Sequence, residues 1–439
     1  MTIRVAYDVT CLLAEAKNSD RKSGIYRVTE EVMNELNKRD DIELSLIKLC
    51  AGHPLFNALE FSCYLKNEPY LTNYKTVEIL KSRLNLRSLY DEIYPIFLSK
   101  EFQELPKFLP KAFALGASRT RLLAIRGIFK FLRMFDAYID FDKNNFDIIH
   151  SPYHKLPSEE FTQGIPRLIT VHDIIPVVIP EMVAPVLISY FKEILSSINH
   201  ERDWVVCNSE YTKQEFCEYT GMPLERTFVT PLAAAHHFHP VTDATQIATT
   251  RQRYGIPDGD YFLSVGTQLE PRKNLTHLIR CFLRLLSEQP NLNIHLVLVG
   301  SKRFQFDETI ARLFPQLTSR VVFTGYVADE DLSAIYSGAT AFIYPSLYEG
   351  FGLPTLEAMR CGTPVIASNT TSLPEVVGDA GILVDPKDED ALCQAMLDLL
   401  SDSQLVRELR QKGFARSQNF SWSKCASDTV AVYKQIVNY

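Results

Sequence analysis

No two of the nine cysteines form a CxxC pair, and an odd number closes no disulfide framework. Reduced thiols are therefore expected rather than a redox or metal site. There is no run of about 18 uncharged apolar residues, so no membrane-crossing helix is expected. The chain opens on Ile3-Arg4-Val5-Ala6-Tyr7, a strand pattern, without the charged and then apolar stretch of a signal peptide. A cytoplasmic protein is the resulting expectation. A basic surplus is also missing: the formal net charge is −7, which argues against nucleic acid as a partner. Internal repeats and low-complexity segments are absent too.

What is present is a soluble-type composition, 46% apolar and 23% charged, over 439 residues. That length exceeds one ordinary core, so two domains are expected. Short apolar runs alternate with helical periodicity. Strands are predicted at 3–7, 43–49, 148–150, 168–171 and 204–207. The alternation is cleaner from 261 onward, with strands at 261–265, 295–299, 321–323, 341–344, 364–367 and 382–384. Helices are predicted between them at 275–288, 307–317 and 329–337, then from Pro354 and from Glu389. Buried strands separated by helices imply an α/β fold of doubly wound parallel sheets. A polar stretch near 240–260 marks the expected boundary, giving domains at 1–245 and 255–419.

Two strand-to-helix connections carry the strongest chemistry. In Tyr344-Pro-Ser-Leu-Tyr-Glu-Gly-Phe-Gly-Leu-Pro-Thr-Leu-Glu357, Gly350 and Gly352 let backbone N–H groups approach a ligand, and Pro354 is placed at the first helical position. With the helix N-terminus they form a site suited to a diphosphate. Glu349 precedes the loop. Glu357, read into the first helical turn, can accept hydrogen bonds from vicinal hydroxyls, or simply favour the helix dipole. In Ser264-Val-Gly-Thr-Gln-Leu-Glu-Pro-Arg-Lys-Asn274, Arg272 and Lys273 could neutralise charge on a departing phosphate, or be ordinary loop charges. Asn274 is placed to cap the next helix. Gly24, in Asp20-Arg-Lys-Ser-Gly-Ile-Tyr-Arg27, marks a turn after the first strand. His172 and Asp173 end another strand, where active-site groups collect. Asn208-Ser209-Glu210 reads as a helix cap.

In this order the pieces resemble the retaining glycosyltransferases of family 4, in the bacterial branch that contains many mannosyl- and other hexosyltransferases. The resemblance runs from Gly266 to Pro386 and includes Gly325, Ser372-Leu-Pro-Glu375 and Gly381-Ile-Leu-Val-Asp-Pro386. It implies the GT-B architecture: two Rossmann-like domains facing a cleft, with a C-terminal helix at 420–439 crossing back to the first. It also implies roles. Glu357 would hold a nucleotide ribose, Glu349 and His172 would meet the donor sugar, and Arg272 and Lys273 would bind the diphosphate. Amides of Phe351, Gly352 and Leu353 would support sugar and phosphate, with Gly24 closing over them. Tyr326 would lie near the base, and Gly266, Gly350 and Asp173 would line the donor site. Many relatives carry an arginine where this chain has Thr267, so Arg272 would supply more of the phosphate charge. The implied reaction is metal-independent transfer from a nucleotide-diphosphate sugar, GDP-mannose first and UDP- or dTDP-sugars next, to a glycan or lipid-linked acceptor. No other cofactor is implied. A sugar-nucleotide epimerase and a non-catalytic sugar-nucleotide-binding protein are the alternatives on this fold.

Asp140-Phe-Asp142 is formally a DxD, but it reads as a solvated loop, and no metal is expected. Residues 52–145 resemble nothing assignable and are read as a helical insertion. Within them Arg119, Arg126, Lys130 and Arg133 fall within about 60° on a helical wheel. That basic face is expected either to touch an anionic membrane surface, on the inner face of the cytoplasmic membrane, or to meet water or an anionic acceptor.

Overall fold

The computed structural model describes residues 2–12, 24–48, 71, 73–77, 80–82, 137–139, 141–266, 270–300 and 312–439. A seven-stranded sheet has the order β3-β2-β1-β6-β7-β8-β9. Its strands are β1 (Ile3–Asp8), β2 (Ile42–Ile47), β3 (Lys75–Thr76), β6 (Ile148–Ser151), β7 (Arg167–Val171), β8 (Trp204–Cys207) and β9 (Thr227–Val229). A short antiparallel ribbon joins β4 (Leu80–Ser82) to β5 (Ala137–Ile139). A six-stranded sheet has the order β12-β11-β10-β13-β14-β15. It is built from β10 (Asp260–Val265), β11 (Ile294–Val299), β12 (Val321–Gly325), β13 (Ala341–Tyr344), β14 (Val365–Ser368) and β15 (Ile382–Val384). All its neighbouring strands pair parallel.

In the six-stranded sheet the first strand in sequence lies between the second and the fourth. This is the doubly wound Rossmann order, whose reversal point lies between β10 and β13. Side chains alternate along β10, so Phe262 packs on one face of the sheet while Tyr261 and Leu263 pack on the other. The first face is covered by the helices Leu275–Glu288 and Glu389–Ser401, the second by Asp329–Ser337 and Leu353–Arg360. Parallel strands with both faces covered must be apolar throughout, which is why these runs were visible in the sequence.

Cα packing divides the chain into two compact units. One comprises Met1–Ile169, Ser197–Asp203 and Tyr433–Tyr439; the other comprises Thr170–Ser196 and Trp204–Val432. The C-terminal helix Trp422–Val437 ends in the first unit, where Tyr433 Oη lies 2.6 Å from His150 Nδ1 and Lys434 pairs with Asp41 at 2.7 Å. In the second unit, the polar stretch expected as a boundary carries the helix Ala244–Arg253. Asp243 caps it, and Arg253 is anchored to Asp331 at 2.7 Å. An almost wholly solvated helix has too little apolar pattern to be read as one.

Among the described residues, seven cysteines are free and buried, and no helix is long and apolar enough to cross a membrane. Asp142 caps a single turn, Lys143–Asn145, while Asp140 lies outside the described residues. The basic stretch 119–133, Thr267, the segment 20–23 and the first part of the helix expected at 307–317 lie outside them as well.

Candidate functional site

In open α/β sheets, ligands bind at the carboxyl ends of the strands beside the reversal point. The two connections singled out in the sequence leave β10 and β13 at that place, both within the second unit. After β10 the chain runs through Gly266 to a turn, Pro271–Lys273. After β13 it runs through Glu349 to Gly352, which precedes the helix Leu353–Arg360.

The turn brings both cations onto one carboxylate. Lys273 Nζ lies 2.8 Å from Glu349 Oε1, and Arg272 lies 2.9 Å from Glu349 Oε2. Arg272 also pairs with Glu270 at 2.5 Å and donates to the Tyr348 carbonyl at 3.1 Å. Lys273 donates to the Tyr344 hydroxyl and sits 4.9 Å from that ring's centroid. Burial works against ionisation of Glu349, but the Lys273 ammonium and Arg272 guanidinium outweigh it and hold the carboxyl at about 2. Burial pushes the Asp173 carboxyl upward, with Arg272 opposing the shift.

The glycines of the loop answer to different constraints. A Cβ on Gly350 would sit 2.1 Å from the His172 carbonyl oxygen, so only glycine allows this approach of two backbones. The Gly350 carbonyl accepts from Ser209 Oγ at 2.8 Å and Thr212 Oγ1 at 3.0 Å. Gly352 has φ 105° and stands at the N-cap position with no side-chain cap on the helix. Pro354 carries no N–H and Thr355 N–H donates to the Gly352 carbonyl at 3.0 Å, so the Leu353 N–H is the first-turn donor that can face an anion. The Phe351 ring is buried and packs edge-on against Phe420, with centroids 5.9 Å apart. Leu353 is the first helical residue.

Four sequence expectations need correction. Asn274 stands at the N-cap of Leu275–Glu288 but caps nothing. In the left-handed conformation (φ 57°) its amide instead donates to the carbonyls of Pro345 at 3.1 Å and Pro386 at 2.8 Å, tying the two connections together. Because the helix starts at Leu353, Pro354 is its second residue and Glu357 lies beyond the first turn. Glu357 is buried and accepts from the Tyr336 hydroxyl at 3.1 Å, which is an orienting contact rather than a dipole one. Gly24 opens the helix Gly24–Asn37, where a Cβ would meet nothing within 4 Å. Ser209 does cap its helix, accepting from Thr212 N.

The structure thus brings Arg272, Lys273, Glu349, Gly266, Gly350 and the His172-Asp173 pair together. The Lys273 side chain covers Gly266, with Cγ 3.5 Å from the position of a Cβ there. Tyr326 is half-exposed after β12, at the far edge of the sheet, and Gly24 belongs to the first unit. Sequence reasoning missed Tyr344, Tyr336, Thr371 and Ser372. Tyr344 and Ser372 lay inside quoted motifs but without a role, whereas Tyr336 and Thr371 lay in none. Two fixed cations, a buried carboxylate and an uncapped helix terminus together can bind a phosphorylated polyol and stabilise a departing phosphate.

Comparison with known proteins agrees with this chemistry. Residues 259–402 match the family described as Glycosyl transferases group 1, and residues 100–234 match Glycosyltransferase Family 4. The chain is 35% identical over 290 residues to the O-antigen chain mannosyltransferase B of Escherichia coli, covering 65% of this chain and 74% of that protein. It is 33% identical over 282 residues to the serotype-specific mannosyltransferase WbdA of Escherichia coli, but spans only 34% of that longer relative. Among solved structures, a glycosyltransferase from Rickettsia africae ESF-5 superposes with a TM-score of 0.60 at 16% identity, covering 99% of this chain and 98% of the other. That likeness establishes a common fold.

Proposed function

The chain belongs to glycosyltransferase family 4, and from that premise we propose that it moves a hexosyl group, mannose first, from a nucleotide-diphosphate sugar to a hydroxyl of a glycan or lipid-linked acceptor, with retention. GDP-mannose is the first candidate donor, with UDP- and dTDP-sugars next. The observation that carries this reading is the buried cluster of Arg272, Lys273 and Glu349 beside the Gly350–Gly352 loop. The mannosyltransferase names of its relatives support the choice of sugar.

In the proposed reaction the bond from the anomeric carbon to the donor phosphate breaks, and the acceptor oxygen bonds to that carbon on the same face. The acceptor proton passes to the departing phosphate oxygen. Arg272 and Lys273 stabilise the charge that gathers there, the part a divalent ion plays elsewhere, so the reaction is read as metal-independent. Glu349 and His172 position the sugar, and Glu357, oriented by Tyr336, takes the ribose hydroxyls. The basic stretch 119–133 would bring the protein to an anionic lipid surface carrying the acceptor.

A thermal-shift screen against GDP, UDP, dTDP, ADP and CMP tests the donor class. A ligand at about 100 times its dissociation constant stabilises the native state by about 2.7 kcal/mol, a shift of a few degrees. One nucleoside diphosphate is expected to shift the wild type and to lose that effect in Glu357→Ala. An equal shift in the variant removes Glu357 from the ribose role.

A further inference from the structure

Thr371 has φ 55°, in the left-handed region. Glycine or asparagine occupies that region at little cost, whereas a β-branched residue there is a true outlier. Such strain persists where the surroundings demand it, and it concentrates at functional sites. Here the demand is visible. Thr371 Oγ1 accepts a hydrogen bond from Glu349 N at 3.2 Å, and the next residue, Ser372, donates from Oγ to the Glu349 carbonyl at 2.8 Å. Two consecutive hydroxyls from the connection after β14 therefore hold both main-chain polar groups of one residue in the connection after β13. Ser372 is fully buried. The carboxylate they hold in place is the one bracketed by Lys273 and Arg272.

We propose that Thr371 and Ser372 are positioning residues for sugar transfer, acting through Glu349 by clamping its main chain so that its carboxylate meets the donor sugar in the reactive geometry. This rests on the reading of Glu349 as a donor-sugar contact. The left-handed turn at Thr371 is what aims two adjacent hydroxyls at the two ends of one residue. Displacement of a positioning group by about 1 Å can cost about a hundredfold in rate.

The test uses the full chain with GDP-mannose and a mannose-terminated oligosaccharide acceptor. Thr371→Val keeps shape and strain but removes the hydroxyl. Thr371→Gly removes the hydroxyl and relieves the strain, so this variant remains folded. Both are expected to lose about ten- to a hundredfold in kcat, with the dissociation constant for free GDP unchanged and the melting temperature of Thr371→Gly no lower than wild type. Thr371→Ser should recover most of the kcat. Ser372→Ala should lose kcat in the same manner.

Wild-type kcat in Thr371→Gly while Glu349→Gln is inactive overturns the clamp and leaves the glycosyltransferase reading standing. Failure of Thr371→Ser to recover kcat also overturns it. An active Glu349→Gln enzyme overturns the underlying reading of Glu349, and the clamp with it. A wild type inert with every nucleotide sugar overturns the donor reading at its root.

Discussion

Lys273→Ala is expected to fold and bind nucleoside diphosphate while losing about a hundred- to a thousandfold in turnover. The reason lies in where the charge is needed. The Lys273 ammonium is fixed by three contacts, the Glu349 carboxylate at 2.8 Å, the Tyr344 hydroxyl and the Tyr344 ring face, so no reorganisation is needed as the phosphate departs. A pre-set charge aimed at a leaving group acts mainly in the transition state, so kcat should fall far more than nucleotide affinity. Arg272 remains 2.9 Å from Glu349 in the variant, so the buried carboxylate is not stranded and the fold survives. Lys273→Met, which retains an aliphatic chain over Gly266, should behave alike. Steady-state kinetics beside GDP binding checks this. Turnover within a few-fold of wild type would remove Lys273 from the phosphate role.

The same substitution should move the acid limit of stability. Folding lowers the Glu349 carboxyl from 4.5 to about 2, so its ion pairs add stability above the unfolded value, and that stability is lost as pH falls through the window down to about 2. With Lys273 gone the lowering shrinks, and unfolding should begin at higher pH.

The second sheet was legible because its inner strands are buried along nearly their whole length and most connections carry helical periodicity. The helices Leu275–Glu288 and Asp329–Ser337 and the strand Ala341–Tyr344 fall at the residues predicted for them. The cations and Glu349 were legible for a related reason: polar residues following a buried strand at the reversal point have few structural tasks. What escaped was whatever depends on contact between distant residues. Nothing local says that Asn274 spends its amide on Pro345 and Pro386, or that Tyr336 turns its hydroxyl to Glu357. Thr371 and Ser372 were invisible as a clamp because their partner lies in another connection, and left-handed threonine contradicts local preference. The edge strand Thr227–Val229 has three residues, too few to show a period.

Gly350→Ala should be as damaging as the loss of Lys273, by a different route. The added Cβ would sit 2.1 Å from the His172 carbonyl oxygen and 2.8 Å from Asp173 Cβ, distances that no real Cβ adopts. The obstacle is backbone, which cannot rotate away as a side chain can. Gly350 cannot retreat either, because Ser209 and Thr212 both donate to its carbonyl and would lose their bonds. Gly350 is not among the residues with positive φ, so alanine there does not incur the left-handed penalty that applies at Gly352. We expect a stability loss of about 1–3 kcal/mol from overpacking. Turnover should fall by about a hundredfold or more, because Glu349 and His172 flank the displaced contact. Gly352→Ala offers the contrast, since its Cβ would meet the tip of the Leu373 side chain at 2.6 Å and its φ of 105° carries the penalty instead. Leu373→Ala should therefore relieve part of the Gly352→Ala defect and none of the Gly350→Ala defect. Denaturant midpoints and kcat for the three single variants and the two double variants distinguish the cases. Unchanged midpoint and full turnover in Gly350→Ala would show that the approach of the loop to His172 is not needed for catalysis.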